Sequence, residues 1–174
     1  MRTSIAIDVA APPDLVFHLA RDIERWPSLL PHYGSVTVQA RHPDGAITAR
    51  MVAIRTLFRQ LGFGIPVAWR SRTWAEEEVR QLRFRHLGGA TRGMDVTWRI
   101  EPMASGCHVT IEHDFAGAPR AWAAFIDRLF VRPIAGRTLA TFKSIAEAVV
   151  AVQDVAGESA AERSEPAREP KTST

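Results

Sequence analysis

The sequence predicts an α+β protein in which a curved antiparallel sheet of about seven strands wraps around one long C-terminal helix. Two observations lead to this prediction. The middle of the chain is a series of short segments with alternating apolar and polar residues, most of them joined by short connections, which is typical of an antiparallel meander. The chain then closes on a single long helical pattern, the only segment long enough to cover the concave face of such a sheet.

Composition narrows the class of protein before any motif is considered. The chain has 174 residues, of which 46% are hydrophobic, so one domain with a substantial core is expected. A net charge of +3 spread over scattered basic residues does not indicate nucleic-acid binding. The single cysteine, Cys107, excludes an internal disulfide and fits a reducing compartment. Without a signal-peptide pattern or a transmembrane segment, we expect a cytoplasmic location.

The first elements are a strand and a short helix. The stretch TSIAIDVA alternates Ile5, Ile7 and Val9 with smaller or polar residues, which predicts a half-buried strand. Two prolines follow, and PDLVFHLARDIERW then places apolar residues at helical spacing. The sequence therefore predicts one or two short helices directly after the first strand.

An unusual turn follows these helices, RDIERWPSLLPHYGSV at Arg21–Val36. It combines two prolines, which restrict the backbone, with the amphipathic rings of Trp26 and Tyr33. We interpret it as a lid in which both rings face a ligand. Under this interpretation, replacing both rings by alanine would weaken ligand retention more than stability.

Six further strand patterns occupy the middle of the chain. They are GSVTVQAR, AITARMVAIRTLF, VAWRSRTWAEEE, VRQLRFRHL, MDVTWRIEP and CHVTIEHDFAG, with RQLGFGIP expected to form a loop. The long helical pattern runs from Pro119 to about Val152, and Pro133 and Gly136 predict a kink or break within it. Because an interrupted helix fills a curved sheet imperfectly, we expect a cavity. We place the domain at residues 1–154 and a disordered polar tail at 155–174.

The opening of the chain resembles the START-type helix-grip (SRPBCC) superfamily, and within it the polyketide cyclase/dehydrase and coenzyme Q-binding family. The resemblance covers about residues 3–150, and WRSR at Trp69–Arg72 with the later strands VTWRIEP and VTIEHDF also fits it. Ten residues match the family opening: Ala11, Pro12, Val16, Phe17, Asp22, Glu24, Trp26, Pro27, Leu29 and Tyr33. The resemblance implies a seven-stranded sheet gripping a long helix around a deep pocket, without a metal or redox cofactor.

The resemblance leaves two functions open. Members either bind and carry lipophilic molecules such as quinones, lipids or polyketides, or act as aromatase/cyclases that fold a polyketide for aldol cyclisation and dehydration. Our interpretation is binding or transport, with catalysis as the alternative. A third hypothesis is an interaction module that contacts a membrane or a partner enzyme through the basic surface.

Alternation within the strands, together with the resemblance, selects the candidate ligand-binding residues. Trp69, Ser71 and Thr73 share one face of their strand, and Ile111 shares the apolar face of the last strand with His113. The helix stripe would form an apolar wall. The complete candidate set is Trp26, Tyr33, Trp69, Ser71, Thr73, Trp98, Ile111, His113, Trp122, Phe125 and Leu129.

If the protein is an enzyme, the candidate catalytic residues are His113, Arg85 and Ser71. His113 is the polar exception on an apolar strand face, and its pKa range suits a general base, although a satisfied core histidine is the alternative. Alternation places Arg85 with Arg83 on the face opposite Phe84 and His86, which predicts a solvated basic face. The resemblance instead places Arg85 where similar cyclases have a pocket arginine, and both interpretations stay open. Similar cyclases have a second arginine at the position that Thr73 occupies here. Because this arginine is missing, the resemblance favours binding over catalysis. Residues His108, Glu112 and Asp114 lie in line along one strand face, so no metal site is predicted.

Overall fold

The computed structural model describes residues 1–58 and 63–164, and the predicted fold class is confirmed. Seven strands form one antiparallel sheet in the order β1-β7-β6-β5-β4-β3-β2. The strands are β1 Arg2–Val9, β2 Tyr33–Arg41, β3 Ile47–Phe58, β4 Phe63–Glu76, β5 Gln81–Gly88, β6 Asp95–Met103 and β7 Gly106–Asp114. Strands β2 to β7 form the predicted meander, and β1 closes the far edge by pairing with β7.

Short helices connect β1 to β2, as predicted. They are α1 Pro13–Arg21, a 3₁₀ turn at Ile23–Arg25 and α2 Trp26–Leu29. Pro13 lies in the first turn of α1, where the backbone N–H has no partner within the helix, so its absence costs nothing. Asp14 in the same turn accepts a hydrogen bond from Arg80 Nε at 2.5 Å. This contact ties α1 to the turn before β5.

The C-terminal helix consists of three consecutive parts. They are α3 Arg120–Ile126, a π-helical turn at Asp127–Val131 and α4 Arg132–Ser164. The irregularity expected near Pro133 therefore takes the form of a π turn immediately before that residue, and α4 continues through Gly136. Gly136 leaves room for β1, since an added Cβ would lie 3.1 Å from Ile5 Cδ1. None of the described helices is both long and apolar enough to cross a membrane.

The chain differs from the prediction at two places. Residues 63–66, expected in a loop, belong to β4, while the loop residues 59–62 lie outside the described residues. Helix α4 extends beyond residue 155 to Ser164, because alanine, glutamate and arginine favour helix even without an apolar face. Residues 151–157 are all exposed, in agreement with the polar composition. Residues 165–174 lie outside the described part of the chain.

The core lies between the concave face of the sheet and helices α1, α2 and α4. Alternation within the strands decides which side chains enter it: β6 buries Val96, Trp98 and Ile100, and β7 buries Cys107, Val109, Ile111 and His113. Leu139, Phe142 and Ala146 of α4 pack against this surface. The buried apolar residues form one core cluster that extends from β1 to β3 and borders the cavity of the candidate site.

Candidate functional site

The candidate site is a cavity of about 80 Å³ between the concave face of the sheet and the start of α4. Its lining is predominantly apolar and aromatic, and it contains no aspartate, glutamate, lysine or arginine among the described residues. The lining residues are Trp26, Tyr33, Met51, Val67, Trp69, Phe84, His86, Thr91, Met94, Val96, Trp98, Ile111, His113, Phe130, Val131, Ile134, Ala135 and Thr138.

The cavity opens on one side. Five lining residues keep partial exposure, and the others are buried: the five are Val67, Trp69, Thr91, Phe130 and Ile134. They come from β4, from the turn between β5 and β6, and from the π turn with the start of α4. We call these five residues the mouth of the cavity.

The opposite end is closed by an aromatic cluster centred on Trp26. Its ring lies 5.1 Å from that of Tyr33, 5.7 Å from Trp98, 5.8 Å from Phe142 and 5.9 Å from Phe84, measured between centroids. The indole is 2% exposed, and its Nε1 donates a hydrogen bond to the Ala20 carbonyl at 3.0 Å. Trp26 is therefore both a cavity wall and a central core residue, which differs from the lid interpretation.

His86 provides one polar group inside this apolar surface. Its ring stacks on that of Trp69 with centroids 5.8 Å apart, and its Nδ1 is hydrogen-bonded to Thr91 Oγ1 at 2.6 Å. Burial lowers the pKa of His86 to about 3, and nearby His113 contributes to the decrease. The imidazole is therefore neutral at physiological pH.

The turn that carries Thr91 depends on a glycine. Gly89 has a φ of +82°, and a Cβ there would lie 2.6 Å from the Ala68 carbonyl oxygen on β4. The same turn is closed by backbone hydrogen bonds between His86 and Met94 and between Gly93 and His86. Gly89 thus allows the turn to approach β4 closely enough to place Thr91 beside the imidazole of His86.

His113 is the second cavity histidine, and charged groups lie behind it. Burial lowers its pKa to about 4, although the negative charge of Asp127 opposes the decrease. Asp127 is buried within the π turn, where it accepts a hydrogen bond from Thr3 Oγ1 at 2.8 Å, and Arg132 Nε lies 3.5 Å away. Within residues 1–58 and 63–164, no group of three or more His, Cys, Asp or Glu side chains is arranged to hold a metal ion.

A third polar group consists of His32, Tyr33 and Thr138. Thr138 Oγ1 donates to the Ile134 carbonyl at 2.9 Å and lies 2.9 Å from His32 Nε2. Because its only proton is used, Thr138 accepts from His32 Nε2–H, which leaves Nδ1 as a buried acceptor without a partner in the described structure. Burial lowers the pKa of His32 to about 4 and raises the pKa of Tyr33.

The structure brings together six of the residues predicted to bind a ligand: Trp26, Tyr33, Trp69, Trp98, Ile111 and His113. Ser71 and Thr73 lie on the same concave face of β4 and are buried, but they do not line the cavity. The Ser71 hydroxyl is 3.3 Å from the carbonyl oxygens of Arg72 and Arg85, so it is already used. Ser71 is therefore not placed for catalysis in this cavity.

Arg85 lies outside the cavity as well. Alternation along β5 directs it to the exposed convex face, where Nε and Nη2 donate to the two carboxylate oxygens of Asp95 at 2.7 and 2.6 Å. A bulge between β4 and β5 lies next to Arg70 and Ser71, but Arg72 still points away from the cavity and pairs with Asp44. The cavity consequently has no arginine from either strand.

The helix residues Trp122, Phe125 and Leu129 also fall outside the lining. Trp122 and Phe125 are about half exposed, and Leu129 is half-buried. The π turn has more residues per turn than an α-helix, so the buried face of α3 is out of phase with that of α4. The inward positions of the helix are Ala123, Ile126, Asp127, Val131, Ala135, Thr138, Leu139, Phe142 and Ala146.

Several site residues were not selected from the sequence. His86 shares its strand face with Leu82 and Phe84, so alternation already indicated that it points inward. Asp127 is the one acidic residue within an apolar helical stretch, which was also a signal. His32 and Thr138 carried no comparable signal, because they are partners 106 residues apart. Thr91 is only five residues from its partner His86, but it lies in a turn, where no alternation indicates which way a side chain points.

Comparisons with known proteins agree with this architecture. The family model of polyketide cyclase/dehydrase and lipid transport proteins matches residues 1–153, and the chain belongs to this family. A protein of Streptomyces cyaneus named as a polyketide cyclase is 32% identical over 120 residues, covering 68% of this chain and 75% of that protein.

Two solved structures show the same fold. The Zhui aromatase/cyclase from Streptomyces sp. R1128 superposes with a TM-score of 0.70 at 20% identity, covering 86% of this chain and 95% of that chain. A START superfamily protein from Mycobacterium smegmatis has a TM-score of 0.56 at 18% identity, covering 87% and 98%. The similarity therefore extends to both an aromatase/cyclase and a START superfamily protein.

Proposed function

We propose that the protein binds a neutral lipophilic molecule that carries carbonyl or hydroxyl groups, such as a quinone or a polyketide-like aromatic compound. The observation that supports this most directly is the cavity lining, which is rich in aromatic rings and has no charged side chain among the described residues. A charged ligand group would lose its hydration there without gaining an opposite charge. A neutral ring system would instead gain aromatic contacts.

The polar groups of the cavity suit such a ligand. Each neutral imidazole offers one donor and one acceptor, and His86 uses one of its nitrogens on Thr91. His86 and His113 come from different strands and both line the cavity, so two polar atoms of one ligand can be contacted together. Ring stacking from Trp69 would complete a binding site for a planar oxygenated molecule.

Binding requires the cavity to enlarge. Its volume of about 80 Å³ is well below the ~300–1,000 Å³ typical of small-molecule sites. The five mouth residues are the ones that can move at lowest cost, since they are already partly exposed. We therefore place ligand entry between Trp69 and Thr91 on one side and Phe130 and Ile134 on the other.

Native mass spectrometry of protein purified from cells, followed by organic extraction, tests this proposal. We expect a co-purifying neutral compound, or saturable quenching of tryptophan fluorescence by a naphthoquinone and by an aromatic polyketide mimic. His113→Leu should weaken binding, whereas His18→Leu, at an exposed position on α1, should not. The proposal would be refuted if the purified protein contains no bound compound and neither probe quenches its tryptophan fluorescence saturably.

Aromatase/cyclase activity is the second candidate, and the observation behind it is the position of His113 in the cavity lining. A neutral imidazole in an apolar cavity could remove a proton from a carbon between two carbonyl groups of a polyketide. The resulting carbanion would attack a second carbonyl, and loss of water would follow. His86 is placed to hydrogen-bond an enolate or carbonyl oxygen in the same cavity, and the walls would hold the chain in a reactive conformation.

A reconstituted polyketide assay separates catalysis from binding. If the protein is a cyclase, adding it should shift the product profile from spontaneous shunt products to a single cyclised product. His113→Gln should abolish that shift while retaining part of the ligand affinity. An unchanged profile, combined with saturable binding of the polyketide mimic, would assign the cavity to binding alone.

A further inference from the structure

Helix α3 exposes two large aromatic side chains next to each other. Trp122 and Phe125 are 48% and 52% exposed, and their rings are stacked with centroids 5.9 Å apart at an interplanar angle of 28°. Ala121 and Ala124 between and beside them are exposed as well. Exposure of neighbouring aromatic rings on a short helix is costly in water, so it suggests an apolar contact outside the chain.

The charged residues of α3 and of the turn that follows it are nearly all positive. Arg120 and Arg128 are exposed, flank the aromatic pair, and form no salt bridge within the described structure. From Phe115 to Ala146 the sequence contains a single acidic residue, Asp127, and it is buried beside Arg132. The exposed side of α3 and of the following turn is therefore cationic with an apolar centre.

This surface adjoins the mouth of the cavity. The π turn continues directly from α3, and its residue Phe130 is part of the mouth, as is Ile134 one turn later. Across the mouth, Ile65 of β4 is 37% exposed. Whatever contacts Trp122 and Phe125 consequently lies close to the opening of the cavity.

We propose that α3 docks onto an anionic lipid surface. Trp122 and Phe125 would enter the headgroup region, and Arg120 and Arg128 would contact lipid phosphates, an arrangement typical of interfacial amphipathic helices. The apolar part is a projecting ring pair rather than a groove, so it suits insertion into a bilayer better than reception of a partner's side chains. Docking in this orientation brings the mouth of the cavity toward the bilayer. Membrane docking would thus add to the proposed ligand binding, but it does not depend on it.

Vesicle flotation with the intact chain, without any cavity ligand, tests the proposal. We expect binding to phosphatidylcholine vesicles containing about 30% phosphatidylglycerol, and little binding to pure phosphatidylcholine. Raising the salt from about 0.05 M to about 0.5 M should weaken binding, because exposed charges are screened. Brominated lipid should quench the fluorescence of the wild-type protein more than that of Trp122→Phe.

Matched variants separate this surface from general surface properties. Trp122→Ser/Phe125→Ser and Arg120→Gln/Arg128→Gln should each reduce vesicle binding by about tenfold or more. The controls are Val152→Ser/Val155→Ser, exposed apolar residues of α4 with the same spacing, and Arg50→Gln/Arg70→Gln on the convex face of the sheet. Both controls should bind as the wild type does.

Two outcomes would overturn the proposal. One is absence of binding to anionic vesicles, or equal losses in the control variants. The other is a protein that does not bind vesicles but binds an acidic acyl carrier protein, with binding that depends on Arg120 and Arg128. That result would assign the surface to a protein partner. Since no cavity ligand is present, either outcome leaves the proposed ligand binding unaffected.

Discussion

Arg55 on β3 donates a hydrogen bond from Nε to the main-chain carbonyl of Leu129 in the π turn, at 2.8 Å. In an α-helix this carbonyl would accept from the N–H of residue 133, but Pro133 has none. The arginine thus supplies this carbonyl with a donor that residue 133 cannot provide. In doing so it connects the β3–β4 part of the sheet to the helix segment that carries Phe130 and Ile134 of the mouth.

From this contact we expect Arg55→Met to loosen the mouth. The variant keeps most of the apolar stem but removes the donor, so the free energy of unfolding should fall by about 1 kcal/mol. Stopped-flow fluorescence with a quinone should show faster association and dissociation. Arg50→Met, at an exposed position on the same strand, is the control. Unchanged rates in Arg55→Met would mean that this contact does not restrict the mouth.

The three buried histidines should make stability depend on pH. The pKa values of His32 and His113 are lowered to about 4 and that of His86 to about 3, whereas the unfolded chain has ordinary histidine pKa values near 6.5. Below about pH 6.5 the histidines of the unfolded state bind protons, whereas the buried histidines of the folded state stay neutral. The free energy of unfolding should therefore decrease as the pH falls from about 6.5 toward about 4. His113 alone could contribute up to about 3 kcal/mol.

Urea unfolding at a series of pH values between about 7.5 and 4.5 measures this effect. His113→Gln should flatten the decline in stability, because glutamine does not titrate. His18→Gln, at an exposed position, should leave the slope as in the wild type. A slope that is equally steep in His113→Gln would show that His113 does not contribute.

Trp26 should matter more for stability than for ligand retention. It is 2% exposed and contacts four aromatic rings, so Trp26→Ala should lower the free energy of unfolding by about 3–5 kcal/mol. Trp26→Phe, which keeps most of the volume but loses the hydrogen bond to the Ala20 carbonyl, should cost less. Chemical unfolding of both variants is the measurement. A stable Trp26→Ala protein that only releases its ligand faster would restore the lid interpretation.

Thr91 should fix the orientation of the His86 ring, and with it the direction of the second ring nitrogen, Nε2, toward a ligand. The hydroxyl bonds to Nδ1 at 2.6 Å, which orients the ring against Trp69. Thr91→Val keeps the shape and removes this bond, so quinone affinity should fall by about threefold to tenfold. Thr91→Ser should retain wild-type affinity. Nitrogen shifts of the imidazole, measured by NMR, should change in Thr91→Val alone, and identical shifts in both variants would contradict this role.

Local patterns predicted most of the fold. Period-two alternation identified each strand and its inward face, as in Trp69 of β4 and Ile111 of β7, because a strand directs successive side chains to opposite sides. Long helical spacing identified the C-terminal helix. Alternation along β5 also predicted that His86 points inward and Arg85 outward. The family resemblance implied instead that Arg85 lies in the pocket, and at this position alternation was correct.

The tertiary structure decided features that depend on distant parts of the chain. The phase of the helix changed at the π turn, which exposed Trp122 and Phe125 and turned Val131 and Thr138 inward. The polar partners also became visible only in three dimensions, since His32 and Thr138 are 106 residues apart. The sequence by itself determined the strands, their inward faces and the family, because these follow from short-range periodicity and local motifs, whereas the pairing of β1 with β7 is a long-range contact. Packing between the sheet and the helix decided the size of the cavity, its mouth and the protonation of its histidines, because burial and hydrogen bonding arise only from long-range contacts.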